Sequence, residues 1–152
     1  MSDPVSQVDP RAPRFAAALT TLVLALVLIF QSPWLLAAQG VLFATGAFVG
    51  VTRTPYAVVF RRLIRPRLAP PAELEDVRPL RFAQQVGFGF AVLGVLGAVL
   101  GSTPVFLVAS AFAFIAAFLN AAFGYCLGCE VYLLGRRLLS RTPAHSIKEI
   151  PA

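Results

Sequence analysis

The sequence carries little charge: only 13% of its 152 residues are Asp, Glu, Lys or Arg, whereas 58% are hydrophobic. Soluble globular domains contain about a quarter charged residues, so this deficit excludes an ordinary soluble domain and predicts a membrane protein. Lysine is almost absent too, because Lys148 is the only lysine among thirteen basic residues. The sequence pI of about 10.4 would fit a nucleic-acid-binding protein. However, the arginines flank apolar runs, which indicates topology signals and anionic-lipid contacts and excludes a nucleic-acid surface.

The common signatures of catalysis are also missing. Two cysteines are too few for a disulfide scaffold, and the single histidine, His145, lies in a polar tail where we expect it to be solvated. No Ser/His/Asp set, phosphate-binding loop or dinucleotide fingerprint occurs. What remains is the Cys-x-x-Cys pair of Cys126 and Cys129 in FGYCLGCEVY, at the end of a long apolar run.

Four apolar runs, each long enough to cross a bilayer as a helix of about 20 residues, predict four transmembrane helices. Short uncharged turns at Gln31–Pro33 and Gly101–Thr103 join them into two antiparallel hairpins. Ser32-Pro33 and Thr103-Pro104 are each typical of an N-cap followed by proline in the first helical turn. The four runs cover residues 15–30, 34–51, 82–100 and 104–123.

All basic residues lie on one side of these predicted hairpins. They precede the first run, fill the loop between the second and third runs, and follow the fourth, while both turns have none. The positive-inside rule therefore predicts a multi-pass protein of the bacterial inner membrane with both termini in the cytoplasm. A cleaved signal peptide in place of the first span is the alternative, which Asp3 and Asp9 disfavour.

The two halves of the sequence resemble each other. The pattern D-x-R-x-x-R-F-A occurs at residues 9–16 and 76–83, and each half closes with a tyrosine followed by an Arg-Arg pair. Chance similarity is the alternative, but the same order in both halves predicts a duplication. Repeat 1 would cover residues 9–66 and repeat 2 residues 76–143, related by an axis along the membrane normal.

A short basic amphipathic helix on the membrane surface is expected after each hairpin. In the first half this helix is TPYAVVFRRLIR at residues 54–65. Aligning the two Arg-Arg pairs places Thr54 opposite Cys129 and predicts a break near residues 124–128, followed by a helix over 129–139. The expected fold is thus an all-α membrane domain over residues 11–141, with a disordered leader (1–10) and tail (142–152).

Small and amide residues in the spans predict close helix packing. The pairs Gly46-x-x-x-Gly50 and Gly97-x-x-x-Gly101 allow close approach, either inside the bundle, which we favour, or in a homodimer. Four amides should face protein, either in interhelical hydrogen bonds or in a polar cavity. They are Gln39, Gln84, Gln85 and Asn120.

The setting of the cysteine pair decides its chemistry. At the start of a helix that follows a break, free amides and the helix dipole would favour thiolate, as in redox Cys-x-x-Cys motifs, although Glu130 would oppose it. At the end of a straight fourth helix, the dipole would disfavour thiolate. A zinc site is a less favoured interpretation, because one chain offers only Cys126, Cys129 and Glu130, and four thiolates would need a symmetric dimer. Plain helix packing is the remaining interpretation.

Two stretches, RFAQQVGFGF (81–90) and FLNAAFGYCLGCEVYLL (118–134), resemble the domain of unknown function 4395 family of small, largely actinobacterial membrane proteins. The resemblance extends from about Asp9 to Arg137, and its most specific block contains Asn120, Cys126, Cys129 and Glu130. Relatives are often encoded near thioredoxin-like proteins and sulfurtransferases, so the resemblance implies thiol or sulfur traffic.

We therefore expect the membrane-embedded chain to exchange electrons or sulfane sulfur with a thioredoxin-like protein or a sulfurtransferase through Cys126 and Cys129. Glu130 and Asn120 are candidate supporting residues. No cofactor is predicted. A quinone-linked disulfide oxidoreductase is a related alternative, but such four-helix enzymes usually present an external pair. The rival from another class is a non-enzymatic scaffold or small transport subunit whose cysteines only pack.

Overall fold

The computed structural model describes residues 7–140 and is almost entirely helical, which confirms the all-α prediction. Residues 1–6 of the predicted leader and all of the predicted tail lie outside this range. The helices are α1 (Arg11–Phe30), α2 (Pro33–Ala44), α3 (Pro55–Val59), α4 (Val77–Val99), α5 (Thr103–Phe123) and α6 (Leu127–Leu139). Wider π-helical turns follow α2 (Thr45–Val49) and α3 (Phe60–Ile64), and 3-10 turns cover Val51–Arg53 and Arg65–Arg67.

Three helices, α1, α4 and α5, are long and apolar enough to cross a membrane, with mean hydropathies of 2.1, 1.6 and 2.2. The second apolar run forms a shorter helical segment, Pro33–Val49. Large apolar side chains on the three long helices face outward: Leu22 is 62% exposed, Ile29 71% and Val99 76%. Such surfaces are unfavourable in water and suit hydrocarbon, so the chain is a multi-pass membrane protein.

Both predicted hairpin turns are present. The α2 helix begins as expected, because the Leu35 N–H donates to Ser32 Oγ at 3.4 Å and Pro33 is the first helical residue. The start of α5 differs by one residue: Ser102 is the N-cap, and its side chain makes no capping hydrogen bond. Gly101, with φ of 75°, turns the chain before α5, in the left-handed region that glycine adopts without strain.

The helices pack closely through glycines. A Cβ on Gly94 would lie 2.6 Å from Leu36 Cδ2, and one on Gly46 would lie 2.8 Å from Gln84 Cγ, so α4 approaches the second helical segment closely. The outer glycines of the two predicted motifs, Gly50 and Gly101, serve the backbone instead: both have positive φ, and a Cβ added at either would meet nothing within 4 Å. The core lies between the long helices and contains Leu24, Val27, Leu36, Phe43, Ala91, Phe106 and Ala113.

Residues 7–10 differ from the expected disordered leader. Strand β1 (Gln7–Val8) pairs antiparallel with strand β2 (Glu75–Asp76), so that Val8 lies opposite Glu75. Asp9 is buried and forms an ion pair with Arg11 at 3.0 Å. The start of α1 is thereby held against the start of α4.

Candidate functional site

A sharp break separates α5 from α6, where the sequence predicted it. Gly124 has φ of 67°, in the left-handed region, and its N–H donates to Asn120 O at 3.0 Å. This single bond from a left-handed glycine ends α5 in an αL motif, and the Tyr125 N–H reaches back further, to Leu119 O at 3.3 Å. The new helix starts at Leu127, two residues earlier than predicted. Both cysteines therefore lie at a helix N-terminus.

Gly128 fixes the first turn of α6 against α4. A Cβ at this position would lie 2.6 Å from Ala83 Cβ and 2.7 Å from Ala83 Cα. Contacts this short do not occur between real side chains, so only glycine permits the approach. The two helices also meet through Phe82 and Tyr132, whose ring centroids are 5.7 Å apart. The backbone that carries the cysteines is thus held by packing.

Cys126 is the N-cap residue of α6. Its Sγ accepts a hydrogen bond from the Cys129 N–H at 3.4 Å, and its carbonyl accepts one from the Glu130 N–H at 3.0 Å. Ser, Thr, Asp or Asn usually holds this position, because an acceptor there satisfies a free amide of the first turn. Both cysteines are free thiols and are half-buried. A thiolate accepts such a hydrogen bond better than a thiol, so this position favours ionisation of Cys126.

The surroundings separate the two cysteine pKa values. The hydrogen bond from the Cys129 thiol is the largest effect on Cys126 and lowers its pKa to about 7, with help from the backbone N–H groups of Cys129 and Gly128. Burial and the carboxylate of Glu75 oppose this change. The pKa of Cys129 is raised by its hydrogen bond to Cys126, by burial, and by the charges of Cys126, Glu75 and Glu130. Cys126 is therefore the thiol that ionises first, while Cys129 stays protonated.

Cys126 also lines a cavity of about 330 Å³. The cavity lies between α1, α2, α4 and α5 and beneath the starts of α3 and α6, and most of its lining is apolar. Gln39 is 1% exposed, and its amide joins two helices there: the Tyr56 hydroxyl donates to Gln39 Oε1 at 3.1 Å, and Gln39 Nε2 donates to Thr20 Oγ1 at 3.4 Å. Gln39 thus faces the protein interior as predicted, whereas Gln85 on α4 is exposed, contrary to the prediction.

The four residues singled out from the sequence do not all meet. Cys126 and Asn120 line the same cavity, and Cys129 follows one turn later in α6. Glu130 is exposed in the first turn and does not line the cavity. Among residues 7–140, no group of three or more His, Cys, Asp and Glu side chains is arranged to hold a metal ion.

Sequence reasoning missed Glu75 and Tyr56. Glu75 belongs to β2, just before α4, and its charge acts on both cysteines, which lie about 50 residues later in the chain. No local pattern carries this information. Tyr56 could have been found, since it is the one polar residue on the apolar face of the first predicted surface helix.

Comparison with known proteins agrees with the resemblance seen in the sequence. No curated protein and no solved structure matches the chain. A family model described as "Domain of unknown function (DUF4395)" matches residues 8–137, which include all six helices except the last two residues of α6. The chain therefore belongs to this family of domains of unknown function.

Proposed function

We propose that the protein exchanges electrons or sulfane sulfur with a soluble thioredoxin-like protein or sulfurtransferase through Cys126 and Cys129. The observation that carries the proposal is the capping position of Cys126, whose Sγ accepts the Cys129 N–H at 3.4 Å. An N-cap sulfur is held close to free amides, the setting in which Cys-x-x-Cys pairs become reactive. Cys126 is the attacking thiol and Cys129 the resolving thiol.

The proposed membrane arrangement has four spans, with the segment Pro33–Val49 as the short second one. In this arrangement α3 follows the second span and α6 follows the fourth. Because two crossings separate them, both helices lie on the same side of the membrane, together with the Arg-rich loop. By the positive-inside rule this side is the cytoplasmic face of the inner membrane, and the thiol pair meets a cytoplasmic partner there. The amphipathic α6, with Arg136 and Arg137 in its last turn, suits the lipid interface.

Matching contacts in the two halves support the proposed duplication. Phe15 packs on Phe60 with ring centroids 5.8 Å apart and planes at 44°, as Phe82 packs on Tyr132 at 5.7 Å and 45°. The Asp76 carboxylate accepts from the Arg78 backbone and side chain, as Asp9 does from Arg11.

The two motif arginines that follow also behave alike. Arg81 Nε donates to Ala47 O at 2.7 Å, near the end of the second helical segment. The Arg14 guanidinium lies beside Gly124, where α5 ends, 3.6 Å from the position of a Cβ on that glycine. Each half thus places an arginine at the end of the last long segment of the other half, as a two-fold related pair of repeats would.

A non-enzymatic scaffold or small transport subunit is the second candidate function. The observation that favours it is the packing of Gly128 on Ala83, which would require small residues in this turn for purely structural reasons. In that case Cys126 is only an N-cap, and neither thiol changes its oxidation state.

A thiol titration separates the two candidates. The purified protein, in nanodiscs of defined phospholipid, is titrated for free thiols after reduction and after equilibration with glutathione disulfide. Exchange chemistry predicts two thiols per chain when reduced, a loss of both on oxidation, and recovery with reductant. If the thiol count does not change and both cysteines resist labelling in the folded protein, the scaffold function stands.

A further inference from the structure

The cavity has features that the cysteine pair does not use. Phe90 on α4 and Phe112 on α5 both line it, and their rings stack on each other, with centroids 5.9 Å apart and planes at 10°. Phe112 is 57% exposed, so the free face and edges of this aromatic pair are open to a flat, apolar ligand. This end of the cavity lies between helices that cross the membrane, so a ligand can enter it from the lipid phase.

Two amides on the cavity wall have unused hydrogen-bonding capacity. Gln84 on α4 and Asn120 on α5 both line the cavity. Within residues 7–140, neither side-chain amide makes a hydrogen bond, although Gln39 on the same wall has its amide oxygen and nitrogen both engaged. An amide that lines an apolar cavity is stabilised when a ligand supplies the missing partner. Each amide has an NH₂ donor group and an acceptor oxygen, so it can pair with a carbonyl oxygen or with a hydroxyl group of a ligand.

The lining of the cavity therefore combines apolar side chains, an aromatic pair, the amides of Gln84 and Asn120, and Cys126. Its volume of about 330 Å³ is at the lower end for ligand pockets and suits a single ring with part of a tail. We infer that the cavity binds the head group of a lipid-soluble quinone, with the ring beside Phe90 and Phe112 and a carbonyl oxygen on the amides of Gln84 and Asn120. This inference rests on the proposed function, because the thiol pair is the electron donor to the bound quinone.

The electron transfer balances without a further reactant. The Cys126 thiolate adds to a ring carbon of the quinone and forms an S–C bond. Cys129 then loses its proton and attacks Cys126 Sγ, so that the S–S bond forms and the S–C bond breaks. The electron pair of that bond stays on the ring, which takes up two protons, equal to those that the two thiols released. One dithiol and one quinone thus give one disulfide and one quinol, and the soluble dithiol partner reduces the pair again.

The test uses the reduced full-length chain in oxygen-free phospholipid nanodiscs, with a benzoquinone that carries a decyl tail as the probe. Quinone absorbance follows quinol formation, a thiol assay follows the cysteines, and equilibrium binding is measured on the Cys126→Ser/Cys129→Ser double variant. We expect saturable binding by the double variant without reduction, and one quinol per disulfide formed by the natural chain. Gln84→Leu and Asn120→Leu should each weaken binding about fivefold, because each removes one hydrogen bond to the carbonyl oxygen.

Gln85→Leu is the matched control. Gln85 neighbours Gln84 on α4 but is exposed and does not line the cavity, so its loss should leave binding unchanged. If decanol, which lacks the ring, displaces the quinone at equal concentration, or if all three leucine variants bind alike, the cavity holds apolar chains only and the inference is overturned. If glutathione disulfide oxidises Cys126 and Cys129 reversibly but no quinone binds, this inference alone is contradicted and the proposed exchange function is unaffected.

Discussion

Thr54 and Cys126 occupy the same structural position, each being the N-cap of a short helix that follows a chain break. Thr54 Oγ1 accepts the Ala57 N–H at 3.2 Å, and Cys126 Sγ accepts the Cys129 N–H at 3.4 Å. Six residues later, Phe60 and Tyr132 pack on Phe15 and Phe82 in the same way. The second half of the chain therefore carries a sulfur where the first half carries a hydroxyl, and both groups cap a helix from a residue with extended backbone.

This relationship predicts that threonine can replace Cys126 structurally. In Cys126→Thr the hydroxyl caps the Cys129 N–H, as Thr54 caps Ala57, so the free energy of unfolding should stay within about 0.5 kcal/mol of the natural value, whereas Cys126→Ala should lose about 1 kcal/mol. Thermal unfolding in detergent, followed by circular dichroism, measures both. Equal loss in the two variants would show that the cap contributes nothing.

The pKa of Cys126, lowered to about 7, predicts a pH-dependent reactivity. Alkylation by iodoacetamide should rise steeply as the pH passes 7, since only thiolate reacts. Because the folded state favours the thiolate of Cys126, its ionisation adds to the free energy of unfolding. This stabilisation is fully present above the pKa of an unfolded cysteine and is lost as the pH falls through about 7. A midpoint near the ordinary cysteine value would contradict the capping role.

Glu75 should lower the reactivity of the Cys126 thiol. Its carboxylate raises the pKa of Cys126, so Glu75→Gln should lower that pKa and increase the alkylation rate at pH 6 by about two- to threefold. Glu73→Gln provides a control, because Glu73 is exposed in the same loop and does not contribute to the pKa of either cysteine. The same rate increase in both variants would mean that Glu75 acts only through the general charge of the loop.

Packing of α6 on α4 gives a steric prediction. Gly128→Ala should destabilise the fold by about 1–3 kcal/mol, because the new methyl group would overlap Ala83. Gly135→Ala, in the same helix, should be neutral or stabilising by up to about 1 kcal/mol, since nothing lies within 4 Å of it. The double variant Gly128→Ala/Ala83→Gly should recover much of the loss. A failure of this rescue would place the strain elsewhere than at Ala83.

Local patterns predicted the turns and the break, because glycine and proline act through their own backbone. Aligning the Arg-Arg pairs put Thr54 opposite Cys129, whereas the N-cap that corresponds to Thr54 in the second half of the chain is Cys126. The reason is physical: surface arginines need only face away from the bundle, and a shift of three residues, about one helical turn, keeps them there. Glu75 and the Tyr56–Gln39 bond depend on contacts distant in sequence. They could not be read from any one segment.

The roles of the two thiols predict which variant retains an adduct. In Cys129→Ser the attacking sulfur of Cys126 remains but the resolving thiol is gone, so glutathione disulfide should leave one glutathione on each chain at Cys126. In Cys126→Ser the remaining thiol is half-buried, and burial and the charges of Glu75 and Glu130 still raise its pKa, so the adduct should form about tenfold more slowly. Intact mass at timed intervals, at pH 7, gives both rates, and thermal unfolding of each variant checks that the fold is kept. Equal rates in two folded variants would remove the assignment of attacking and resolving roles, while no adduct in either would leave the cysteines with a packing role alone.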